Sequence, residues 1–234
     1  MKPLIGIVEW PYLDKDEDQI YEVLTPIIEW VVRSGGRPIG LFPTQIENYV
    51  QKRLSEIRNM TDLELLDLKE SIDICDAIIK PGALKIYQHE RKIYEYALQK
   101  DIPYLGICAG MQVMAFNGKE RILNEKNNSR VGHRSKNDYQ HEVRIIKGTK
   151  LFNILNKSVI LTNSKHSYHV PNTDLCISGV SKDGYIEAIE NNNATFHIGT
   201  QWHPELEPVT DRNSSLLFER LIEEAKIYKK NRKI

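Results

Sequence analysis

The chain has 234 residues, 41% of them hydrophobic, with Lys+Arg and Asp+Glu at 32 each. That size and apolar content fit a single domain over 1–234, and a formal net charge of zero leaves no field to draw in nucleic acid or an anionic membrane surface. No apolar run approaches the roughly 20 residues that cross a bilayer, the N-terminal segment lacks a secretory pattern, and three scattered cysteines (Cys75, Cys108 and Cys176) argue for a reducing, cytoplasmic setting and against disulfides.

Leu4 to Val8 reads as a first buried strand. Gln19 to Ser34 reads as a helix with Ile20, Val23, Leu24, Ile27, Ile28 and Val31 on one side, and Pro26 either kinks it or marks its start. Gly35-Gly36 ends it, and Arg37 to Phe42 is a second strand. The charged, Leu-rich stretch from Ile46 to Ile74 has helical spacing at Tyr49, Val50, Leu54 and Ile57. Asp76 to Lys80 is a third strand closed by Pro81-Gly82, Gln88 to Lys100 a helix, Ile102 to Ile107 a fourth strand, and Ala109 onward a helix ending near Asn117-Gly118. This alternation implies βαβ units and a mostly parallel sheet. Residues 124–140 are polar and read as a long surface excursion. Short strands follow at His141–Ile146, Val159–Thr162, Leu175–Val180, Tyr185–Glu190 and Thr195–Gln201, as antiparallel additions plus the last sheet strand. A final helix spans about Asp211 to Tyr228, and the basic end beyond Lys226 complements its dipole before fraying.

Two short stretches carry the chemistry. In Gly106-Ile107-Cys108-Ala109-Gly110, small residues flank a cysteine at a strand-to-helix turn. Such a turn exposes the sulfur and sets it at the positive end of a helix dipole, which raises its thiolate share. In His203-Pro204-Glu205, a base and a carboxylate stand two apart, so that in extended backbone they share a side. The imidazole takes the thiol proton and later gives it to a leaving amine, while the carboxylate fixes its tautomer. The backbone N–H of Ala109 is the natural first oxyanion donor. Gly82-Ala83 is the candidate second one, Gly82 allowing an unusual backbone angle that aims an N–H inward. With no C-x-x-C pair, no metal and no cofactor are expected.

Gly106-Ile-Cys-Ala-Gly-Met-Gln112 together with Gln201-Trp-His-Pro-Glu205 resembles the class I glutamine amidotransferase superfamily. His133-Arg134, His141-x-Val143, Asn163-Ser164-Lys165-His166 and Asp183-Gly184-x-x-Glu187-Ala188 are similar to elements of its γ-glutamyl hydrolase branch, which includes the γ-glutamyl-γ-aminobutyrate hydrolases. The resemblance implies a flavodoxin-like three-layer α/β sandwich with Cys108, His203 and Glu205 as the triad. It also implies that Gln112 holds the γ-glutamyl group and that His133, Arg134, Asn163, Ser164 and His166 contact substrate. Pro81-Gly82-Ala83 departs from the family's Pro-Gly-Gly, and Ser167-Tyr168-His169 departs from the usual residues after His166, which puts the substrate rather than the reaction in question. The Lys-, Ile- and Asn-rich chain as a whole also resembles the γ-glutamyl-CDP-amidate hydrolases of bacterial capsule phosphoramidate pathways, a likeness no single motif carries.

The expected activity is hydrolysis of a γ-glutamyl amide through a thioester on Cys108, with a small-molecule substrate and a homodimer left open. Only about 30 residues follow Glu205, so no synthetase domain is expected after it. The alternatives are a glutaminase subunit that feeds ammonia to a separate synthetase chain, and a catalytically silent binding module. Arg130, His133, Arg134 and Lys136 gather in the polar excursion. They would suit a phosphate-bearing leaving group if it folded over the site, although a solvated loop face is the simpler expectation.

Overall fold

A computed structural model describes residues 1–116, 133 and 140–232. Eleven strands and six helices are assigned among them: β1 (Leu4–Val8), β2 (Trp10–Leu13), β3 (Gln19–Glu22), α1 (Thr25–Arg33), β4 (Arg37–Leu41), α2 (Asp62–Asp73), β5 (Ala77–Lys80), α3 (Gln88–Lys100), β6 (Tyr104–Ile107), α4 (Ala109–Ala115), β7 (Gln140–Ile145), α5 (Lys150–Leu155), β8 (Val159–Asn163), β9 (Cys176–Ser181), β10 (Ile186–Glu190), β11 (His197–Thr200) and α6 (Arg212–Asn231).

One sheet runs in the order β4-β1-β5-β6-β11-β10-β9-β7-β8. Its first five strands pair in parallel, and the remaining four add antiparallel. Period-two alternation splits the core between two faces. Ile5, Ile7, Ala77, Ile79, Leu105 and Ile107 pack with α1, α5 and α6. Val8, Ile78 and Tyr104 pack with α2, α3 and α4. The result is the flavodoxin-like three-layer α/β sandwich. Each fully buried Ile or Leu contributes about 1.5–3 kcal/mol, and Trp30 stacked on Phe218 at 5.3 Å joins α1 to α6.

Local signals set the element ends. The Thr61 hydroxyl accepts from Glu64 N–H, and the Glu64 carboxylate accepts from Thr61 N–H, capping α2. Asp211 caps α6 by accepting from Ser214 N–H at 2.7 Å. The basic end of α6 is held: Lys229 lies 2.8 Å and Arg232 3.2 Å from the buried carboxylate of Asp76, so fraying does not begin before Arg232.

Two expectations are corrected, and one element is new. Gln19–Glu22 is a strand of a hairpin with β2, not the start of a helix. The Gln19 side chain accepts from Tyr49 N–H and donates to the Glu47 carbonyl, tying this stretch to a neighbouring loop, and helix α1 starts only at Thr25-Pro26. Residues 46–60 are irregular apart from a 3-10 turn at Leu54–Glu56. There, side chains satisfy the backbone: Gln45 donates to the Arg58 carbonyl, and Tyr87 to that of Tyr49. Helix α5, capped by Thr149, was not anticipated.

Candidate active site

Strands β5, β6 and β11 are neighbours and parallel, so their C-terminal ends open on one crevice, the usual ligand position in such sheets. Cys108 follows β6 directly, and its N–H donates to the Thr200 carbonyl at the end of β11. His203 lies three residues beyond β11, and Gly82 two residues beyond β5. Sequence-distant residues therefore meet because adjacent strands end together.

Cys108 sits at φ 52° and ψ −102°, a left-handed conformation that costs a non-glycine residue of order 1–3 kcal/mol. The turn is as tight as the flanking glycines imply. A Cβ on Gly110 would stand 2.1 Å from the Lys80 carbonyl oxygen, and one on Gly106 2.6 Å from the Gly110 backbone. Gly82 does not use a positive φ. It is needed for room, since a Cβ there would fall 2.8 Å from His203 Cε1 and 3.4 Å from Cys108 Cβ. The same distances bring the Cys108 Cβ and the His203 ring next to one glycine.

His203 Nδ1 lies 2.7 Å from Glu205 Oε1, and that carboxylate is buried. The pair does not sit on extended backbone: Pro204–Leu206 is a 3-10 turn that folds the carboxylate back to the ring. Burial opposes a charge on His203, but the Glu205 carboxylate and the Cys108 sulfur outweigh it and hold its pKa well above 6.5. Beside this pair, Lys80 and Glu90 form a wholly buried ion pair at 2.9 Å. Lys80 Nζ also donates to the Pro81 carbonyl at 2.8 Å, fixing the chain just before Gly82-Ala83.

A cavity of about 570 Å³ opens over the sulfur, lined in part by Gly82, Ala83, Cys108, His203, Trp10 and Tyr12. The aromatic wall belongs to the β2–β3 hairpin, which sequence reasoning missed. Its signal was the alternation Trp10-x-Tyr12 before the acidic turn at 14–18. Lys85, Lys165 and Glu22 supply charge at the rim.

The residues expected to touch substrate have the following surroundings. Asn163 clamps the histidine backbone, accepting from His203 N–H at 3.1 Å and donating to the His203 carbonyl at 2.7 Å. Gln112 donates to the Tyr168 carbonyl and to Gln201 Oε1. Ser164, His133 and His166 are buried around Glu187, away from the cavity lining. Arg134, like Arg130 and Lys136, lies outside the described residues.

The family model Peptidase C26 matches residues 3–205. The chain belongs to this family, which is glutamine amidotransferase-like and hydrolyses C–N bonds. It is 31% identical over 69% of its length to a CTP synthase of Wigglesworthia glossinidia brevipalpis, and the match spans 39% of that relative. It is 27% identical to a glutamine amidotransferase-like protein of Rickettsia prowazekii, over 96% of this chain and 98% of that one. Its fold matches the glutaminase domain of Trypanosoma brucei CTPS with bound acivicin, with TM-score 0.64, 18% identity, and 99% of this chain and 96% of that one covered. Among the described residues no helix is long and apolar enough to cross a membrane.

Proposed function

We propose that the chain hydrolyses a γ-glutamyl amide with Cys108 as nucleophile, His203 as proton carrier and Glu205 as its orienting carboxylate. The observation that carries this reading is the strained Cys108 turn and the His203 ring meeting at Gly82, with Glu205 on His203 Nδ1. The thiolate attacks the γ-carbonyl carbon, and the oxyanion faces the N–H of Ala109, with Gly82-Ala83 as the second donor segment. His203 protonates the departing nitrogen, the C–N bond breaks, and a γ-glutamyl thioester remains. Deprotonated by His203, a water molecule then attacks the thioester, releasing glutamate and the free thiol.

The cavity favours a leaving group larger than ammonia. Its volume lies in the roughly 300–1,000 Å³ range of sites for sizeable ligands. Trp10 and Tyr12 offer flat apolar surface, and Lys85 and Lys165 offer positive charge. A nucleotide-linked amide such as γ-glutamyl-CDP-amidate is the substrate we infer. A panel of γ-glutamyl amides, including phosphoramidate-linked nucleotides and free glutamine, read by glutamate release from the purified chain, tests this. Preference for free glutamine would overturn it. That result would favour the second reading, a glutaminase feeding ammonia to a synthetase chain, which the likeness to CTP synthase supports.

A further inference from the structure

A second polar centre lies in the antiparallel part of the sheet, and neither the acyl chemistry nor the cavity uses it. Glu187 on β10 is wholly buried. Its Oε1 stands 3.2 Å from His133 Nδ1, 3.6 Å from His141 Nε2 and 3.5 Å from His166 Nε2. Ligand atoms of His133, His141 and Glu187 all lie within 4.8 Å of one another. Despite these distances, both Glu187 oxygens, His141 Nε2 and His166 Nε2 make no hydrogen bond of acceptable geometry. Three buried imidazoles thus face one buried carboxylate oxygen.

The far side of each ring explains which atoms face inward. His133 Nε2 lies 3.0 Å from Asp183 Oδ2, His141 Nδ1 lies 3.2 Å from the Glu142 carbonyl, and His166 Nδ1 lies 2.9 Å from the Tyr168 carbonyl. A carbonyl or carboxylate on one ring nitrogen keeps the proton there and leaves the other nitrogen as a lone pair. That is the supporting arrangement of metal-binding histidines. Ser164 Oγ is also 3.2 Å from His133 Nδ1, but its hydroxyl lies 3.1 Å from the His133 carbonyl and donates to it, which keeps the nitrogen's lone pair available. Burial of a carboxylate costs several kcal/mol unless it is compensated, by a proton on one of these rings or by a cation held between them. Among the described residues, the ion-pair partners of Glu187 are these three imidazoles.

We propose that His133, His141 and Glu187 hold a divalent transition metal of the zinc class in a buried site that His166, 3.5 Å from Glu187, completes. A tetrahedral ion with bonds of about 2.0–2.1 Å sets its ligands roughly 3.3–3.4 Å apart. The Glu187-to-imidazole distances of 3.2–3.6 Å bracket that spacing, and the ligand atoms of His133 and His141 lie within 4.8 Å of each other. Three imidazoles with one carboxylate suit zinc and its neighbours rather than calcium or magnesium. With protein ligands alone, none of them in the lining of that cavity, the ion is structural. It clips together β7, β10 and the turn after β8. That turn follows Asn163, the last residue of β8, whose side chain holds the His203 backbone, so the ion steadies the base from behind and takes no part in bond making.

The test uses Cys108→Ala, which removes the competing thiolate. The protein is freed of metal with a chelator and titrated with Zn²⁺ and, separately, Co²⁺. We expect one equivalent of Zn²⁺ to bind and raise Tm. Co²⁺ should give the intense visible absorption of a tetrahedral site without a thiolate charge-transfer band. His141→Gln and Glu187→Gln, made in the same background, should each weaken binding at least tenfold. The proposal is overturned if Cys108→Ala binds neither ion stoichiometrically, if Co²⁺ shows an octahedral spectrum, or if affinity survives in both ligand variants. Should those variants fail to fold, the Co²⁺ spectrum of the Cys108→Ala protein decides alone.

Discussion

The two halves of the sheet hold their polar residues by different means. In the parallel half, backbone geometry does the positioning: three strand ends meet, glycines clear the space, and Cys108 is forced into a left-handed turn. In the antiparallel half, side chains position one another, through Asn163 on His203 and through the histidines around Glu187. A backbone-built site is stiff but admits no added atoms. A side-chain-built one tolerates exchange of single groups but depends on charge and protonation.

The comparison is tested first at the sulfur. Cys108→Ala should lower glutamate release by on the order of 10⁴-fold or more while leaving Tm near that of the parent. Retained turnover would remove the parallel half from the chemistry. Next is Gly82→Ala. Its methyl would press into His203 Cε1, and kcat should fall roughly 10²–10³-fold. A variant with normal kcat would show that room at this glycine is not the constraint.

Acid should separate the halves by stability. His89 and His197 are buried with the parallel strands, and burial pushes each pKa down to about 4. Each is neutral when folded and protonates near 6.5 when unfolded. Their stability contribution is therefore complete above pH 6.5 and is lost as pH falls toward 4, by roughly 3 kcal/mol each. Chemical denaturation between pH 7 and 4 should show this slope, and His197→Gln should flatten it. An unchanged slope would assign the acid sensitivity elsewhere. Asn163→Ala should have a smaller effect, lowering kcat about tenfold with little change in KM, because His203 keeps Glu205 but loses its backbone clamp. A change in KM alone would instead make Asn163 a substrate contact.

The parallel half was also the more legible in sequence. Continuous apolar runs such as Leu4–Val8 and punctuation such as Pro81-Gly82 mark buried strands and their ends, and Gly-x-Cys-x-Gly marks a turn that few other residues permit. Gln88–Lys100 was legible as a helix to the residue. The β2–β3 hairpin was not, because Ile20, Val23, Leu24 and Ile27 satisfy a helical period until Gln19 bonds to the loop at Glu47–Val50. The role of Asn163 was hidden for the same reason: a side chain that grips a backbone 40 residues away has no local pattern. The histidines are separated by eight and then 25 positions, as His133, His141 and His166, a spacing with no periodic meaning until β7, β10 and the turn after β8 bring them to Glu187.

The left-handed angle at Cys108 puts strain on the proposed nucleophile, immediately after β6. Glycine is at ease in that conformation, so Cys108→Gly should outlast the parent on heating, by on the order of 1 kcal/mol, while catalysing nothing. Selection for heat endurance alone would therefore drift toward a silent protein. In a thermal melt against Cys108→Ala, equal midpoints would mean that the tension lies in the surrounding turn instead of in this residue.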